Sequence, residues 1–166
     1  MERKEYTIWD YKKIKKSEKI IRNFLLKNSD TLRLTEHKWS EIKFFKIKRH
    51  GGEKDEKFVS VLELLKPYFI KKVISDKKFN DIKQLGKSEF THYLYKLSPK
   101  LKSLLNKETL FWHHCFESKN FYGFEDPTFY NKNTMLACAV THEPYIVLYL
   151  TQQEKKLLEK QEVLFD

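Results

Sequence analysis

The chain is short of the residues that mark several common protein classes. Its 166 residues include two cysteines, four glycines and four prolines, and they show no repeats or low-complexity tracts. Two cysteines are too few for the disulfide framework of a small secreted domain. There is also no run of about 18 apolar residues, which a membrane-spanning helix requires. The sequence therefore predicts no membrane partner.

The first residues carry no targeting signal of the secretory kind. Residues 1–5 are charged and have no apolar stretch behind them, whereas a signal peptide needs an apolar region of 7 to 15 residues. We therefore expect a cytoplasmic protein. In that compartment Cys115 and Cys138 are most simply buried thiols.

Arginine and alanine are scarce, whereas lysine is abundant. The formal net charge is +10 from 33 basic and 23 acidic residues, and only four of the basic residues are arginine. This composition is typical of AT-rich prokaryotic or phage genes, so codon usage accounts for part of the charge. Arginine binds phosphates and bases bidentately better than lysine does. Because arginine is scarce here, the total charge alone is weak support for nucleic-acid binding.

The distribution of charge along the chain is more informative than its total. Residues 1–107 hold 28 basic and 14 acidic side chains, whereas residues 108–166 hold 5 basic and 9 acidic ones. Codon usage acts on the whole gene and does not explain a change of sign near residue 107. We therefore expect the two parts to present different surfaces.

The hydrophobic pattern predicts one α+β domain over residues 1–166. Its expected architecture is a basic helical part, about 1–107, packed on a small antiparallel sheet formed mainly by a mildly acidic β-rich part, about 108–166, with a final C-terminal helix. The helices are predicted at residues 8–27, 59–65, 68–74, 88–95 and 101–105. Ser98 and Pro99 form a helix start, with serine at the cap and proline at the first helical position.

The segment after residue 34 is open to two interpretations. Thr35 could cap a helix with Trp39, Ile42 and Phe45 at three-residue spacing. Alternatively, residues 42–47 form a strand, with a hairpin loop over 50–57 leading to residues 58–61.

The last third of the chain favours strands. Residues 109–117, 134–141 and 145–150 are rich in strand-forming side chains, and the short connector 142–144 predicts that the last two pair as a hairpin. Thr151 with Glu154 forms a capping box for the final helix.

Metal- and thiol-based chemistry has candidates in this last third. On a strand, His113, Cys115 and Glu117 share one face, which would suit zinc, although their spacing matches no known metal motif. Alternatively, Cys115 as nucleophile would work with His142 as base and Asp126 or Glu143 as orienter. Nothing nearby would lower the thiol pKa. No metal or cofactor is therefore expected.

Residues 121–130 combine five aromatic and two acidic side chains in a predicted loop between strands. Rigid aromatic side chains in a loop are typical anchors for a protein partner, and the local negative charge opposes a polyphosphate. The predicted protein-binding residues are Tyr122, Phe124, Glu125, Asp126, Phe129 and Tyr130.

Runs of lysine in the first part of the chain predict a second binding surface, for nucleic acid or an acidic protein. No helix-turn-helix, RNP or zinc-finger pattern accompanies them, so contacts would be to the phosphate backbone. Binding is therefore favoured over catalysis. The predicted residues of this basic surface are Lys12, Lys13, Lys15, Lys16, Lys19, Arg22, Lys46, Lys48 and Arg49. Three hypotheses remain open: a binding protein with a basic helical face, an interaction or inhibitor protein of the immunity or anti-defence kind, and a small metal- or thiol-dependent hydrolase.

Overall fold

A large antiparallel sheet organises the chain. The computed structural model describes residues 2–37, 39–43, 46–50, 52, 55–75, 90–111, 120–141, 143 and 145–166, and for residues 39–43 and 46–50 it describes the backbone alone. The strands in these residues are β1 (Lys4–Ile8), β2 (Thr31–Glu36), β3 (Trp39–Lys43), β4 (Lys46–His50), β5 (Phe69–Ser75), β6 (Phe90–Lys96), β7 (Phe124–Asn131), β8 (Thr134–Val140) and β9 (Tyr145–Leu150). The helices are α1 (Tyr11–Asn28), α2 (Glu56–Leu65), α3 (Pro99–Leu105) and α4 (Gln152–Lys160), with a 3₁₀ turn at Lys66–Tyr68.

Seven strands form the main sheet in the order β1-β9-β8-β7-β2-β6-β5, and each neighbouring pair is antiparallel. β3 and β4 pair separately as a two-stranded ribbon. The inner strand β2 pairs Leu32 with Tyr95 of β6 and with Phe129 of β7. The sheet thus interleaves strands from both ends of the chain.

The main core lies between the helices and one face of this sheet. Phe58 of α2 meets the rings of Tyr93 and Phe124 edge-on, at centroid distances of 6.2 and 5.0 Å. Side chains alternate along a strand, so Ala137 and Ala139 of β8 join this core, whereas Cys138 between them is buried on the opposite face.

Several local predictions are confirmed. The first helix, the helices at 59–65 and 101–105, and the final helix are present, and the α4 capping box between Thr151 and Glu154 is complete. Ser98 caps α3 with Pro99 at its first position. Strands β8 and β9 form the expected antiparallel pair. None of the helices that the structure describes is long and apolar enough to cross a membrane.

The predicted architecture is wrong in the first two thirds of the chain. These residues are not dominated by helices, because β1, β2, β5 and β6 supply four of the seven strands of the sheet. Residues 69–75 and 90–96 are strands, where helices were predicted over 68–74 and 88–95. Short apolar segments suit either period, and pairing with β2 decides the outcome for β6.

Two further segments differ from expectation. Neither interpretation of the residues after Thr35 is correct as a whole, because β3 and β4 form a ribbon and residues 58–61 belong to α2. The predicted loop 121–130 is wrong from Phe124 onward, where β7 begins and pairs with both β2 and β8. The predicted strand 109–117 lies outside the described residues from position 112.

Candidate nucleic-acid interface

Helix α1 begins at an ordinary capping residue. The carboxylate of Asp10 accepts hydrogen bonds from the backbone N–H groups of Lys12 and Lys13, at 2.7 and 3.1 Å. This arrangement satisfies donors that the first turn would otherwise leave unpaired. The helix then runs for 18 residues without glycine or proline.

Apolar spacing decides which side of α1 meets the core. Ile14, Ile21, Phe24 and Leu25 are all buried, as their positions in the sequence predict. Trp9, which falls within the helix predicted over residues 8–27, precedes α1 and stacks on Tyr145 at a ring-centroid distance of 3.8 Å. The opposite side of α1 is left to solvent.

This exposed side carries lysines and no carboxylate. Lys12, Lys15, Lys19 and Lys27 are exposed, and we call these four residues the lysine face. Their spacing of three, four and eight residues keeps them on one side of a helix with 3.6 residues per turn. Glu18 is the single acidic residue of α1, which the structure describes in full, and it is buried.

Glu18 is held inside by two partners. It accepts a hydrogen bond from the backbone N–H of Leu110 at 2.8 Å, and Arg22 donates to it at 3.3 Å. Burial raises the pKa of Glu18 from 4.5 to about 7, and the Leu110 N–H and the Arg22 charge only partly oppose that rise. The only acid of the helix therefore does not neutralise the lysine face.

Three of the predicted basic residues are engaged within the chain. Arg22 also donates to the backbone carbonyl of Glu108 at 2.6 Å. Lys13 pairs with Asp166, and Lys16 pairs with Glu162 at 3.0 Å. These three are consequently weaker candidates for an external anion than Lys12, Lys19 and Lys27.

A groove continues the lysine face at the C-terminal end of α1. It has a volume of about 460 Å³ and opens between α1 and α3. Its lining residues are Asn23, Leu26, Lys27, Pro99, Lys102, Ser103 and Asn106. Five of these seven side chains carry hydrogen-bond donors, and none is acidic. The groove therefore adds neutral donors and a further lysine beside the end of the lysine face.

The sequence predictions omitted Asn23, Lys27 and Lys102. A signal for two of them was present, because Asn23 and Lys27 follow Lys19 at successive four-residue steps and continue the same helical side. Lys102 lies 75 residues beyond Lys27, and only the packing of α3 beside α1 brings the two into one groove.

The other predicted basic cluster lies elsewhere. Lys46, Lys48 and Arg49 are on β4 of the separate ribbon, where the structure describes only the backbone. Their contribution to binding stays a prediction.

The predicted protein-docking residues are mostly interior. Phe124, Glu125, Asp126 and Phe129 are buried in or beside β7. Tyr122 and Tyr130 are partly exposed: the hydroxyl of Tyr122 donates to Asp55 at 3.0 Å, and the Arg33 guanidinium lies 5.9 Å from the Tyr130 ring. Direct docking at this segment would depend on these two tyrosines.

The predicted metal and thiol sites fall largely outside the described residues, which exclude His113, Cys115, Glu117 and His142. Asp126 is buried and accepts the backbone N–H of Thr141 at 2.9 Å, whereas Glu143 is exposed. Within the described part of the chain, no group of three histidine, cysteine, aspartate or glutamate side chains is placed to hold a metal.

A polar cluster on the face of the sheet opposite the main core was also missed. Nδ1 of His37 lies 2.6 Å from an oxygen of Glu125, and Nδ1 of the buried His92 lies 3.1 Å from Oγ1 of Thr35. Arg33 donates to Thr128 at 2.9 Å on the same face. Alternating polar residues at 33, 35 and 37 were a signal for it. These contacts satisfy the hydrogen-bonding groups of polar side chains on and beside β2, which is a structural role.

Comparison of the chain with protein-family models, curated proteins and solved structures finds no match.

Proposed function

We propose that this protein binds the phosphate backbone of nucleic acid through the lysine face and the adjoining groove between α1 and α3. The observation that carries this proposal is the charge of the exposed side of α1. That side has lysines at helical spacing, and the only acid of the helix, Glu18, is buried. An ordinary solvated helix mixes both signs on its exposed side.

The dimensions of the surface suit a polyanion. From Lys12 to Lys27 the helix rises about 22 Å, the axial length of about six base pairs. Each lysine that neutralises a phosphate releases condensed counterions, and this release supplies most of the affinity in sequence-independent binding. Ser103 and the asparagines of the groove would add neutral donors to phosphate or sugar oxygens.

Because lysine contacts phosphates as a point charge, we expect binding with little sequence preference. The lysine face includes no arginine, which is the side chain that contacts guanine bidentately. Duplexes of different sequence should therefore bind with similar affinity at one salt concentration.

The test measures binding of a fluorescent duplex of about 20 base pairs between about 50 and 300 mM KCl. A variant with Lys12, Lys15 and Lys19 all changed to glutamine should reduce the slope of log K against log[salt] by about 3, one unit for each phosphate that is no longer neutralised. A matched control changes three exposed lysines elsewhere to glutamine, at Lys4, Lys156 and Lys160.

Three outcomes would overturn the proposal. The first is no binding of duplex or single strand at low salt. The second is an equal loss of affinity in both variants, which would show that net charge alone attracts the ligand. The third is tighter binding to polyglutamate than to DNA of equal charge, which would identify an acidic protein as the partner class.

A further inference from the structure

Strand β5 forms one edge of the main sheet and pairs with β6 but with no other described strand. The opposite edge strand, β1, is covered differently. The backbone N–H of Asp166 donates to the carbonyl of Thr7 at 2.9 Å, and the side chain of Asp166 accepts the N–H of Trp9 at 2.5 Å. One edge of the sheet is therefore partly occupied by the chain itself, whereas β5 is not covered in this way by any described residue.

β5 exposes large apolar side chains. Phe69, Ile70 and Ile74 are 46, 48 and 63% exposed. An edge strand presents a row of backbone N–H and C=O groups that an added strand pairs with, and exposed apolar side chains favour that addition. Natural sheets ordinarily protect such an edge.

The edge is held in a defined geometry by aromatic neighbours on β6. The ring of Phe69 lies 6.5 and 6.2 Å from the rings of Tyr93 and Tyr95, and the ammonium of Lys72 lies 5.4 Å from the Tyr93 ring. A register shift between Phe69 and Lys71 places Phe69 on the same face of the strand as Lys72 and Ile74. A segment added beside β5 would therefore meet apolar groups on either side of a lysine.

We propose that the outer edge of β5 binds an extended segment of a partner protein, in which acidic and apolar residues alternate, by strand addition. Charge selects this occupant. Lys71 and Lys72 are adjacent and exposed, and opposite charges on facing strands stabilise pairing whereas like charges weaken it. Adjacent side chains of a strand point to opposite faces, so an alternating segment places its carboxylates opposite one of the two lysines, and that pairing would be favourable.

The same charges argue against a second copy of the chain. An antiparallel β5–β5 pair centred on Lys71 or on Lys72 would set that lysine against its own copy, which disfavours self-association. Nucleic acid, for its part, has no peptide groups to pair with the strand edge. An acidic peptide satisfies both the backbone and the charge.

The test uses two capped eight-residue peptides, one alternating glutamate with valine and the other alternating lysine with valine. We expect the glutamate peptide to bind on the order of tenfold more tightly and to slow hydrogen exchange at amides within 69–74. A double variant, Lys71→Glu with Lys72→Glu, should reverse the preference. A glutamate peptide N-methylated at every residue should lose binding, because strand pairing through either edge of the peptide needs its N–H groups.

Five results would overturn the proposal. Four of them are unchanged exchange at 69–74, indifference to N-methylation, an unreversed preference in the double variant, and exchange protection that rises with protein concentration without peptide. The last would show that a second copy occupies the edge. The lysine-face variant at Lys12, Lys15 and Lys19 should bind the peptide normally. Displacement of the peptide by duplex DNA would assign the β5 lysines to the nucleic-acid interface and would also contradict the proposal. Because the lysine-face variant leaves the β5 edge unchanged, this test succeeds or fails independently of the proposed function.

Discussion

Glu18 is a buried carboxylate with a pH dependence that the structure specifies. Its side chain lies under α1 against the backbone of Leu110, next to Arg22. One of its oxygens, Oε2, has no hydrogen-bond partner within the described residues. Because burial disfavours the charged form more than these partners favour it, the pKa rises from 4.5 to about 7.

The shift has a definite sign for stability. Between about pH 4.5 and 7 the folded protein binds a proton at Glu18 that the unfolded chain has lost. The contribution of Glu18 to the free energy of unfolding is therefore fully present below pH 4.5 and is lost as the pH rises to about 7. At about 1.4 kcal/mol per pKa unit, the loss amounts to about 3 kcal/mol.

The assay compares the wild type with Glu18→Gln by urea unfolding at a series of pH values from 4 to 8. Glutamine keeps the size of the side chain and an oxygen for the Leu110 N–H, but it does not ionise. The free energy of unfolding of the variant relative to the wild type should rise by about 3 kcal/mol across this range, since other groups cancel in the difference.

A matched control is Glu63→Gln on α2, where the carboxylate is exposed. The free energy of unfolding of this control variant relative to the wild type should change by no more than about 0.5 kcal/mol over the same pH range. A flat difference for Glu18→Gln, or one that falls with pH, would refute the reasoning. It would mean that the Arg22 pair outweighs burial and keeps Glu18 charged.

Two further predictions concern the core. Gly123→Ala should cost about 2 to 4 kcal/mol, because its φ is +81° and an added Cβ would lie 2.5 Å from the Phe58 ring. Gly52→Ala, with a φ of +76° but only an ordinary contact of the added Cβ with Oε1 of Glu36 at 3.7 Å, should cost only about 1 to 2 kcal/mol. Equal costs of the two substitutions in urea unfolding would contradict the clash. In a Cys115→Ser background, Cys138 should react with a thiol reagent only on unfolding, because burial raises its pKa to about 12. Labelling of the native protein at the rate of a free thiol would contradict this.

Elements with strong local signals were predictable. α4 has a capping box at Thr151, α3 has serine and proline at its start, and α1 has an apolar stripe long enough to identify its period. In each case the decisive groups lie within a few residues of one another, so the sequence alone contains the interaction that stabilises the element.

The strands of the central sheet were not predictable in the same way. β6 and β7 flank β2 from distant parts of the chain, and their pairing determines that they are strands. Residues 124–130 were predicted as part of a loop between two strands, in which Asp126 and Pro127 would start a turn. In the folded chain this segment contributes aromatic rings to the core, and Phe124 and Phe129 are almost inaccessible to solvent.

The candidate interface divides between the two sources of information. The sequence by itself determined that α1 would have an apolar and a basic side, because helical periodicity assigns each residue to a side. Only the tertiary structure decided that Glu18 is buried, that Lys13 and Lys16 pair with Asp166 and Glu162, and that Lys102 joins Lys27 in one groove. These outcomes depend on contacts between residues more than 70 positions apart, which no local pattern encodes.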